Sequence, residues 1–445
     1  MNIPKDLIVG ISGIRGHSPE TLTPELAVSF ARAFSRVLPA GKIVVSRDSR
    51  QSGHELKKAV VAALLSECRQ ILDADLTPLP TTQLAIKNFG AVGGIDITAS
   101  HNPAEYNGLK MLDKEGIFIQ KNLLDQVVQK VGDMKNEQNK NVVISHIEDI
   151  QNKCEDDHIR SVTRVGMLKK KLTVAVDAVN GAGSEIVPKL LEKLNCDVIR
   201  LACDPTKPFP HVPEPTPENL VWTRAQLEGR KYDLTAVVDP DADRLVLIDE
   251  KGNLLPEETT VPLVAEEYIA RGKKGTIVVN MSTSRMIEDV AAVHGVTVVR
   301  SAVGELNVIN KMKETGAFFG GEGNGGVIDP EIHYGRDSLV GIAAVINLMR
   351  RTGKPLSVLV AGLSKYEMRK IKMPILGAKL HVMYEKIRNL FPNAETNTED
   401  GLRLAWADKW LHVRPSNTEP IFRIYGEAKT AREIDELIGK VTSLA

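Results

Sequence analysis

The sequence LTAVVDPDADRLVLI, residues 234–248, places three aspartates between two apolar segments. Both apolar segments are short and rich in Val, Leu and Ile, which predicts a buried strand on each side of the aspartates. In α/β folds the polar residues that follow a strand commonly form the binding site. Asp239, Asp241 and Asp243 also alternate at a spacing of two, and alternate side chains of an extended segment share one face. We therefore expect their three carboxylates to converge.

Converging carboxylates repel one another unless a cation lies between them, and oxygen ligands alone suit a hard ion such as Mg²⁺. The calcium-loop pattern needs a glycine and a distal glutamate at set positions, whereas here Arg244 and an apolar strand follow. A solvated acidic turn is the alternative without a function, and the flanking strands favour the metal site over it. The guanidinium of Arg244 would suit a phosphate oxygen beside such an ion.

A second polar segment, TASHNP at residues 98–103, begins at the last residue of a strand predicted at residues 94–98. The hydroxyl of Ser100 is a weak nucleophile that needs a nearby base or electrostatic help. As a phosphoserine it would instead store a phosphoryl group. Lys110 follows closely enough to reach the same site, where it could neutralise charge or transfer a proton. The alternatives are an ordinary turn, since Ser, Asn and Pro favour turns, and a solvated surface lysine.

A third polar segment, GEGNGG at residues 321–326, combines four glycines with one carboxylate and one amide. Glycine lets the backbone approach a ligand closely. Glu322 and Asn324 could accept from and donate to neighbouring sugar hydroxyls. Glycine-rich turns without a ligand are common, so this segment alone does not identify a function.

A fourth polar segment, RPSNTEP at residues 414–420, is dense in hydrogen-bond donors: Arg414, Ser416, Asn417 and Thr418. A guanidinium that can make two parallel hydrogen bonds, together with these donors, suits a phosphate group. A capped hairpin turn is the alternative. Near the N-terminus, Arg15 lies in a glycine-flanked segment and could face the same phosphate.

Strand and helix patterns alternate along most of the chain, which predicts three successive α/β regions. In each region, one of the first three polar segments lies at the end of a predicted strand. The remaining residues predict a small sheet with helices on one face, an α+β region that carries the fourth segment. We place the four domains at residues 1–147, 148–253, 254–367 and 368–445.

The overall charge excludes two classes of partner. The chain of 445 residues holds 57 basic and 57 acidic residues, so no global basic field attracts nucleic acid or an anionic membrane. Its longest apolar segments are too short to span a bilayer, and no signal peptide is evident. Four cysteines without paired spacing indicate buried, reduced thiols. We expect a cytoplasmic protein, monomeric or homo-oligomeric, that acts on a small molecule.

Taken in order, the four polar segments resemble those of the α-D-phosphohexomutase family, and the resemblance covers nearly the whole chain. It implies four domains around a central cleft, three similar α/β domains and a C-terminal α+β domain. It also implies an isomerase that interconverts hexose 6-phosphate and hexose 1-phosphate through a phosphoserine and a 1,6-bisphosphate. Phosphoryl transfer depends mainly on positioning and charge stabilisation, which suits a site built from Mg²⁺, arginines and one lysine.

The resemblance further implies a role for each residue. Ser100 would be the phosphorylated serine and a ligand of one Mg²⁺ ion, and a sugar 1,6-bisphosphate would be the activator. The other ligands of the ion would be Asp239, Asp241 and Asp243. Phosphoryl transfer would be assisted by Arg15, Lys110 and Arg244. Sugar hydroxyls would bind Glu322 and Asn324, and the non-reacting phosphate would bind Arg414, Ser416, Asn417 and Thr418.

The chain departs from many bacterial relatives, which carry Ser-Gly-His where Asn324, Gly325 and Gly326 stand here. The departure removes a histidine and places proton transfer on Lys110, with His101 as the second candidate. The segment resembles archaeal-type members, which favours phosphoglucosamine mutase, although bacterial phosphoglucosamine mutases usually have glycine at position 417. Phosphomannomutase/phosphoglucomutase is the alternative, followed by a phosphopentomutase.

Two other classes of function stay open at this point. A metal-dependent sugar phosphatase would share the serine and the aspartates but would not need a second phosphate clamp. A catalytically inert sugar-phosphate binder would not need an intact Ser100, three aspartates and Arg244.

Overall fold

The computed structural model describes residues 3–133, 146–164, 170–374, 380–415 and 421–444. These residues form two compact units. The first comprises Met1–Thr260 with Gly325–Val358, and the second comprises Val261–Asn324 with Leu359–Ala445. Among the described residues, no helix is long and apolar enough to cross a membrane.

The N-terminal region of the first unit alternates strands and helices around one sheet. Its elements are β1 (Ile8–Gly10), β2 (Gly13–His17), α1 (Pro24–Val37), β3 (Lys42–Arg47), α2 (Gly53–Ser66), β4 (Gln70–Leu76), α3 (Leu79–Asn88), β5 (Gly93–Ile97), β6 (Tyr106–Asp113), α4 (Lys121–Asp133), β7 (Ile147–Asp149) and α5 (Gln151–Thr163). The strand order is β1-β2-β6-β5-β3-β4-β7, and β5, β3, β4 and β7 run parallel. The carboxyl ends of β3 and β5 therefore lie side by side, which brings the residues that follow them together.

Helix α1 shows how the sequence sets an element boundary. Thr23 Oγ1 accepts the N–H of Leu26 at 3.2 Å, and Pro24 occupies the first helical position, where its missing N–H costs nothing. The buried face of the helix, which includes Phe30 and Phe34, joins the main apolar core of this region.

A second sheet in the first unit carries the aspartate segment. Its region comprises β8 (Leu172–Asp177), α6 (Gly183–Lys193), β9 (Cys196–Leu201), α7 (Val221–Leu227), β10 (Leu234–Val238) and β11 (Leu245–Asp249). The strand order is β11-β10-β8-β9, with β10, β8 and β9 parallel and β11 antiparallel to β10. Every residue of β10 and β11 is buried, which explains their mainly apolar sequences.

The third region continues the alternation after a short 3₁₀ helix at Glu257–Thr259. Its elements are α8 (Thr260–Ala270), β12 (Thr276–Asn280), α9 (Met286–Val293), β13 (Thr297–Ser301), α10 (Glu305–Thr315), β14 (Phe319–Glu322), β15 (Gly326–Ile328), α11 (Ser338–Thr352) and α12 (Leu356–Ala361). In the second unit, β13, β12 and β14 run parallel in that order. The third polar segment begins inside β14, at the end of this sheet.

The C-terminal region is an antiparallel sheet with helices on one face, as predicted. Its elements are β16 (Glu367–Pro374), α13 (Leu380–Leu390), β17 (Glu395–Asn397), β18 (Leu402–Ala405), β19 (Trp410–Pro415), β20 (Ile421–Ala428) and α14 (Ala431–Thr442). The strand order is β16-β20-β19-β18-β17. Apolar residues of α13, α14 and the central strands form one core.

Several details of the prediction need correction. Strand β6 was not expected, because Asn, Gly and Lys interrupt its apolar pattern. The cysteines are free, but Cys68 is exposed and Cys203 is only half-buried, so the expectation of four buried thiols is wrong. Cys68 lies in the turn after α2, with a left-handed φ of +60°. The predicted domain boundaries stay predictions, and residues 134–145, next to the first boundary, lie outside the described residues.

Candidate active site

Ser100 lies in the loop after β5, and its backbone is left-handed, with a φ of +52°. Residues other than glycine adopt this conformation only when their surroundings enforce it. The N–H of Ser100 donates to Thr98 Oγ1 at 2.9 Å, and that hydroxyl donates to Asp48 Oδ2 at 2.6 Å. The Ser100 side chain is buried, and its Oγ donates to Asp239 Oδ2 at 2.9 Å. The serine is therefore held with its hydroxyl toward the aspartate segment.

Arg50 holds the same loop from the other side, and sequence analysis missed it. Its guanidinium donates to the carbonyl oxygens of Ser100 at 2.5 Å, Asn102 at 2.6 Å and Tyr106 at 3.0 Å. Asp48 Oδ2 accepts Arg50 Nε at 2.9 Å, and both side chains are fully buried. A fork of donors that binds several carbonyls fixes the path of the loop. The available signal was the polar sequence at residues 47–50, which also follows a strand.

The three aspartates do converge, but not for the reason predicted. Residues 239–243 form a turn, in which the N–H of Ala242 donates to the carbonyl of Asp239 at 2.9 Å. Ala242 is left-handed, with a φ of +53°. The expectation of an extended segment is therefore wrong. The turn brings ligand atoms of Asp239, Asp241 and Asp243 within 4.8 Å of one another, a group able to hold a metal ion.

The oxygens of these carboxylates indicate where an ion would fit. Asp241 Oδ1 and Asp243 Oδ1 are buried and lack a hydrogen-bond partner among the described residues. The opposite oxygens are occupied: Lys110 Nζ lies 2.5 Å from Asp241 Oδ2, and Arg336 Nη2 lies 2.5 Å from Asp243 Oδ2. Buried acceptors without partners are costly. Because the donor set is oxygen alone, it suits a hard divalent ion such as Mg²⁺.

The electrostatics of the site follow from burial and from the crowding of charges. Burial, with the neighbouring carboxylates adding to it, raises the pKa of Asp239 well above its usual value. Burial would also raise the pKa of Asp241, but the ammonium of Lys110 outweighs it and lowers that pKa below the usual value. Burial would lower the pKa of Lys110, and Asp241 and Asp243 together raise it instead. The lysine is thus held as a cation against the aspartates.

Two further predicted residues, His101 and Arg15, lie beside the Ser100 loop, and a third, Arg244, lies beside Asp243. His101 Nδ1 is 3.4 Å from Ser100 Oγ, and burial, followed by Arg244 and Arg15, lowers the pKa of this histidine well below its usual value. Arg15 Nη1 donates to Asn102 Oδ1 at 2.9 Å, beside the serine loop. Arg244 Nε lies 3.9 Å from Asp243 Oδ1. The structure therefore gathers the predicted catalytic and metal-binding residues within the first unit.

The remaining predicted residues belong to the second unit. Glu322 is buried, and its Oε1 accepts the side-chain amide of Asn280 at 2.8 Å and the N–H of Gly304 at 3.1 Å. Asn324 is half-buried, as is Arg414 at the end of β19. Ser416, Asn417 and Thr418 lie outside the described residues. Asn280 was not predicted. It ends β12, beside the strand that carries Glu322.

Comparison with known proteins supplies the class to which this fold and site belong. Four domain profiles match the chain, described as phosphoglucomutase/phosphomannomutase, alpha/beta/alpha domains I, II and III and the C-terminal domain. They match residues 6–138, 156–252, 257–366 and 377–443 respectively. The predicted order of three α/β domains and one C-terminal domain is confirmed.

Individual relatives match along nearly their whole length. A phosphoglucomutase/phosphomannomutase of Thermococcus kodakarensis is 35% identical, with 97% of each chain covered. A probable phosphoglucosamine mutase of Methanopyrus kandleri is 32% identical, with 96% of this chain and 95% of the relative covered. A solved phosphoglucomutase/phosphomannomutase family protein of Burkholderia thailandensis has a TM-score of 0.84 and 26% identity, with 97% and 96% covered.

The fold and the site define an enzyme of phosphosugar isomerisation. More particularly, the chain belongs to the phosphoglucomutase/phosphomannomutase family, the phosphohexomutases. The family and the enzyme class predicted from the four polar segments are confirmed, and the enzyme is a phosphosugar mutase.

Proposed function

We propose that this enzyme is a phosphoglucosamine mutase that carries its phosphoryl group on Ser100. The hydrogen bond of 2.9 Å between Ser100 Oγ and Asp239 Oδ2 is the observation that carries the mechanism, because it joins the nucleophile to the candidate metal ligands. The choice of sugar is supported by relatives named phosphoglucosamine mutase at 32% identity. The alternative, phosphomannomutase/phosphoglucomutase activity, is supported by the relative that is 35% identical.

In this proposal the chain arranges charge around the transferred phosphoryl group. Asp239, Asp241 and Asp243, with phosphorylated Ser100, would hold one Mg²⁺ ion. When bound, that ion would neutralise charge on the phosphoryl oxygens. Arg15 presents its guanidinium beside the Ser100 loop, and Arg244 presents its guanidinium beside Asp243. Such positioned cations stabilise charge that develops during the transfer.

Each phosphoryl transfer is accompanied by a proton transfer. The hydroxyl that accepts the phosphoryl group loses a proton, and the oxygen that gives it up gains one. Phosphoserine gives its phosphoryl group to the free hydroxyl of a hexose monophosphate, which yields the 1,6-bisphosphate and a serine hydroxyl. After the bisphosphate reorients, Ser100 takes up the other phosphoryl group and the isomeric monophosphate is released. Lys110 and His101 are the two candidates for moving the proton. Lys110→Met and His101→Gln, compared in both reaction directions, would separate their roles.

Substrate recognition is proposed for residues of the second unit. Glu322 and Asn324 would bind sugar hydroxyls, and Arg414, Ser416, Asn417 and Thr418 would bind the phosphate that does not react. A sugar 1,6-bisphosphate would act as an activator because it can phosphorylate Ser100 directly. A small sugar phosphate is the partner in this proposal.

The proposal is tested by ³¹P NMR of the protein with Mg²⁺ and a trace of sugar 1,6-bisphosphate. Glucosamine, mannose, glucose and ribose phosphates are supplied in turn, and Ser100→Ala is the control. Fastest isomerisation of glucosamine phosphate supports the proposed sugar, whereas faster isomerisation of mannose or glucose phosphate supports the alternative. Release of inorganic phosphate without isomerisation would indicate a phosphatase, and no reaction with any sugar would contradict the proposal.

A further inference from the structure

Arg336 is a buried arginine that the sequence patterns did not single out, and it reaches the aspartate turn. Its Nη2 donates to Asp243 Oδ2 at 2.5 Å, and only 10% of its side chain is exposed. Two residues further on, the hydroxyl of Ser338 donates to the carbonyl oxygen of Ala242 at 2.7 Å. The segment that carries Arg336 is therefore attached to the aspartate turn at two points, which fixes the guanidinium on Asp243.

A glycine leaves the space that the Arg336 side chain fills. A Cβ atom at Gly326 would lie 2.3 Å from Arg336 Cδ and 2.9 Å from its Cγ. Carbon atoms in contact are normally about 3.5–4.0 Å apart, so any side chain at position 326 would displace the stem of the arginine. The observed position of the Arg336 side chain therefore requires glycine at position 326.

Arg336 donates a hydrogen bond to one oxygen of Asp243, whereas the nearest cation to the other oxygen, Arg244 Nε, is 3.9 Å away and outside hydrogen-bond distance. Oδ2 accepts from Arg336, while Oδ1 is buried and has no hydrogen-bond partner in the described part of the chain. Asp241 shows the same division, because Lys110 occupies its Oδ2 and its Oδ1 has no such partner. An ion at this site would thus find a single available oxygen on each of these two carboxylates.

The number of available oxygens matters for the choice of ion. Mg²⁺ requires a near-octahedral arrangement and commonly takes one oxygen from each carboxylate, whereas Ca²⁺ accepts six to eight oxygens and often binds a carboxylate through both. A side chain that blocks the second oxygen of a carboxylate therefore disfavours Ca²⁺ without excluding Mg²⁺. A bidentate aspartate would have the opposite effect.

We propose that Arg336 sets the metal specificity of this site by restricting Asp243 to a single ligand oxygen, which favours Mg²⁺ over Ca²⁺. The inference rests on the proposed function, because it takes the three aspartates as the metal ligands. Arg336 is a positioning residue, since it acts through Asp243 and not on the substrate. Loss of its guanidinium would free Oδ2 of this hydrogen bond, with Lys110 Nζ still 3.7 Å away, and would let both oxygens of Asp243 approach one ion.

The test measures metal affinity directly on the full-length protein freed of metal. Bound Mn²⁺ is followed by electron paramagnetic resonance while Mg²⁺ or Ca²⁺ displaces it, which gives the ratio of the two affinities without turnover. We expect Arg336→Met to shift this ratio toward Ca²⁺ by about tenfold, since changes to residues that orient metal ligands typically alter affinity about 10- to 100-fold. Arg336→Lys retains a donor and should lie between wild type and Arg336→Met.

Two further variants separate this role from a general loss of structure. Gly326→Ala should reproduce the shift toward Ca²⁺, because its Cβ would displace the arginine stem. The double variant Gly326→Ala/Arg336→Met should shift the ratio no further than either single variant. Arg350→Met is the matched control. It removes another buried arginine of the same unit, which donates to the carbonyl oxygen of Leu194 at 2.7 Å, and it should leave the ratio unchanged.

The outcomes distinguish failure of this inference from failure of the proposed function. A wild-type ratio in Arg336→Met, with an unchanged circular dichroism spectrum, would overturn the role of Arg336 alone. Failure of the wild-type protein to bind Mn²⁺ would overturn the metal assignment on which it rests. If Arg336→Met does not fold, Gly326→Ala decides: a shift toward Ca²⁺ supports the inference, and an unchanged ratio refutes it.

Discussion

Asp96 provides a quantitative test of how charge is buried beside the active site. It lies in β5, opposite Lys110 of β6, and is 1% exposed. Its Oδ1 accepts the hydroxyl of Ser46 at 2.9 Å, while Oδ2 is buried without a hydrogen-bond partner among the described residues. Burial, supported by the charges of Asp241 and Asp48 and opposed by Lys110, raises the pKa of Asp96 to about 8. The carboxyl group is therefore neutral in the folded protein at pH 7.

The sign of the pH dependence follows from this shift. In the unfolded chain the pKa of an aspartate is about 3.9, so between pH 5 and pH 7 the folded protein keeps a proton on Asp96 that the unfolded chain releases. The resulting stabilisation is complete below the unfolded pKa and is lost as the pH rises toward the folded pKa. One proton corresponds to a loss of about 1.4 kcal/mol in the free energy of unfolding per pH unit.

Asp96→Asn should remove this dependence. An asparagine is neutral at every pH and keeps an acceptor for the Ser46 hydroxyl. Relative to wild type, the variant should gain about 2.7 kcal/mol in the free energy of unfolding between pH 5 and pH 7. The difference should stop growing above the folded pKa of about 8. The assay is urea unfolding of metal-free protein from pH 5 to pH 9, with hydrogen exchange of the peptide covering β5 as the probe.

Asp125→Asn is the control, because Asp125 is an exposed carboxylate on α4 whose side chain is 60% exposed. It should leave the slope of the wild type unchanged. Parallel curves for wild type and Asp96→Asn would refute the reasoning, since they would mean that Asp96 is ionised in the folded protein and that Lys110 neutralises it.

Four further predictions concern catalysis and stability. Ser100→Ala should abolish mutase turnover in the ³¹P assay while the circular dichroism spectrum stays unchanged; substantial turnover would exclude the phosphoserine mechanism. Asp241→Asn should remove Mg²⁺-dependent activity, and full activity with the same metal dependence would contradict the ligand assignment. Arg50→Lys should slow phosphorylation of Ser100 by a sugar 1,6-bisphosphate by at least about tenfold, because an ammonium cannot bind several carbonyls in the fixed geometry of a guanidinium. Mass spectrometry of the intact protein over time measures the rate of phosphorylation. A wild-type rate would exclude a positioning role for Arg50. Asp337→Asn should lower the free energy of unfolding by about 1–3 kcal/mol, as expected when buried hydrogen-bonding groups lose their partner, because Asp337 Oδ2 lies 2.7 Å from His158 Nε2 and 3.0 Å from His333 Nε2. The asparagine side chain can still accept the N–H of Leu339 and so keep the N-terminal cap of α11. A loss below about 1 kcal/mol in urea unfolding would therefore show that Asp337 stabilises the protein through this cap and not through the two histidines.

The parts of the site that follow strands could be predicted from local sequence. An apolar segment that ends in Asp, Ser or Gly marks both a buried strand and the polar loop after it, and this applies to Ser100, the aspartates and Glu322. The confirmed order of domains follows from the same alternation of strands and helices. The N-terminal cap of α1 could also be predicted from local sequence, because threonine followed by proline commonly marks the start of a helix.

The residues that hold these loops could not be predicted in the same way. Arg50 lies 50 residues before the Ser100 carbonyl that it binds, and Arg336 lies 93 residues after Asp243. Neither arginine belongs to a pattern of its own, since a guanidinium that binds a carbonyl or a carboxylate needs only the right place in the fold. Their positions depend on which strand ends are adjacent, and that is a property of the sheet order.

The aspartate turn shows why ligand residues are easier to predict than the residues that oppose their charge. The alternate spacing identified three side chains that do converge, although a turn and not an extended segment brings them together. Buried carboxylates destabilise a protein unless they are paired. Here the pairing comes from Lys110 on β6 and from Arg336 before α11, two segments far apart in the chain. A local motif can therefore indicate the candidate metal ligands, whereas the charges that oppose these three carboxylates are specified only by the tertiary structure.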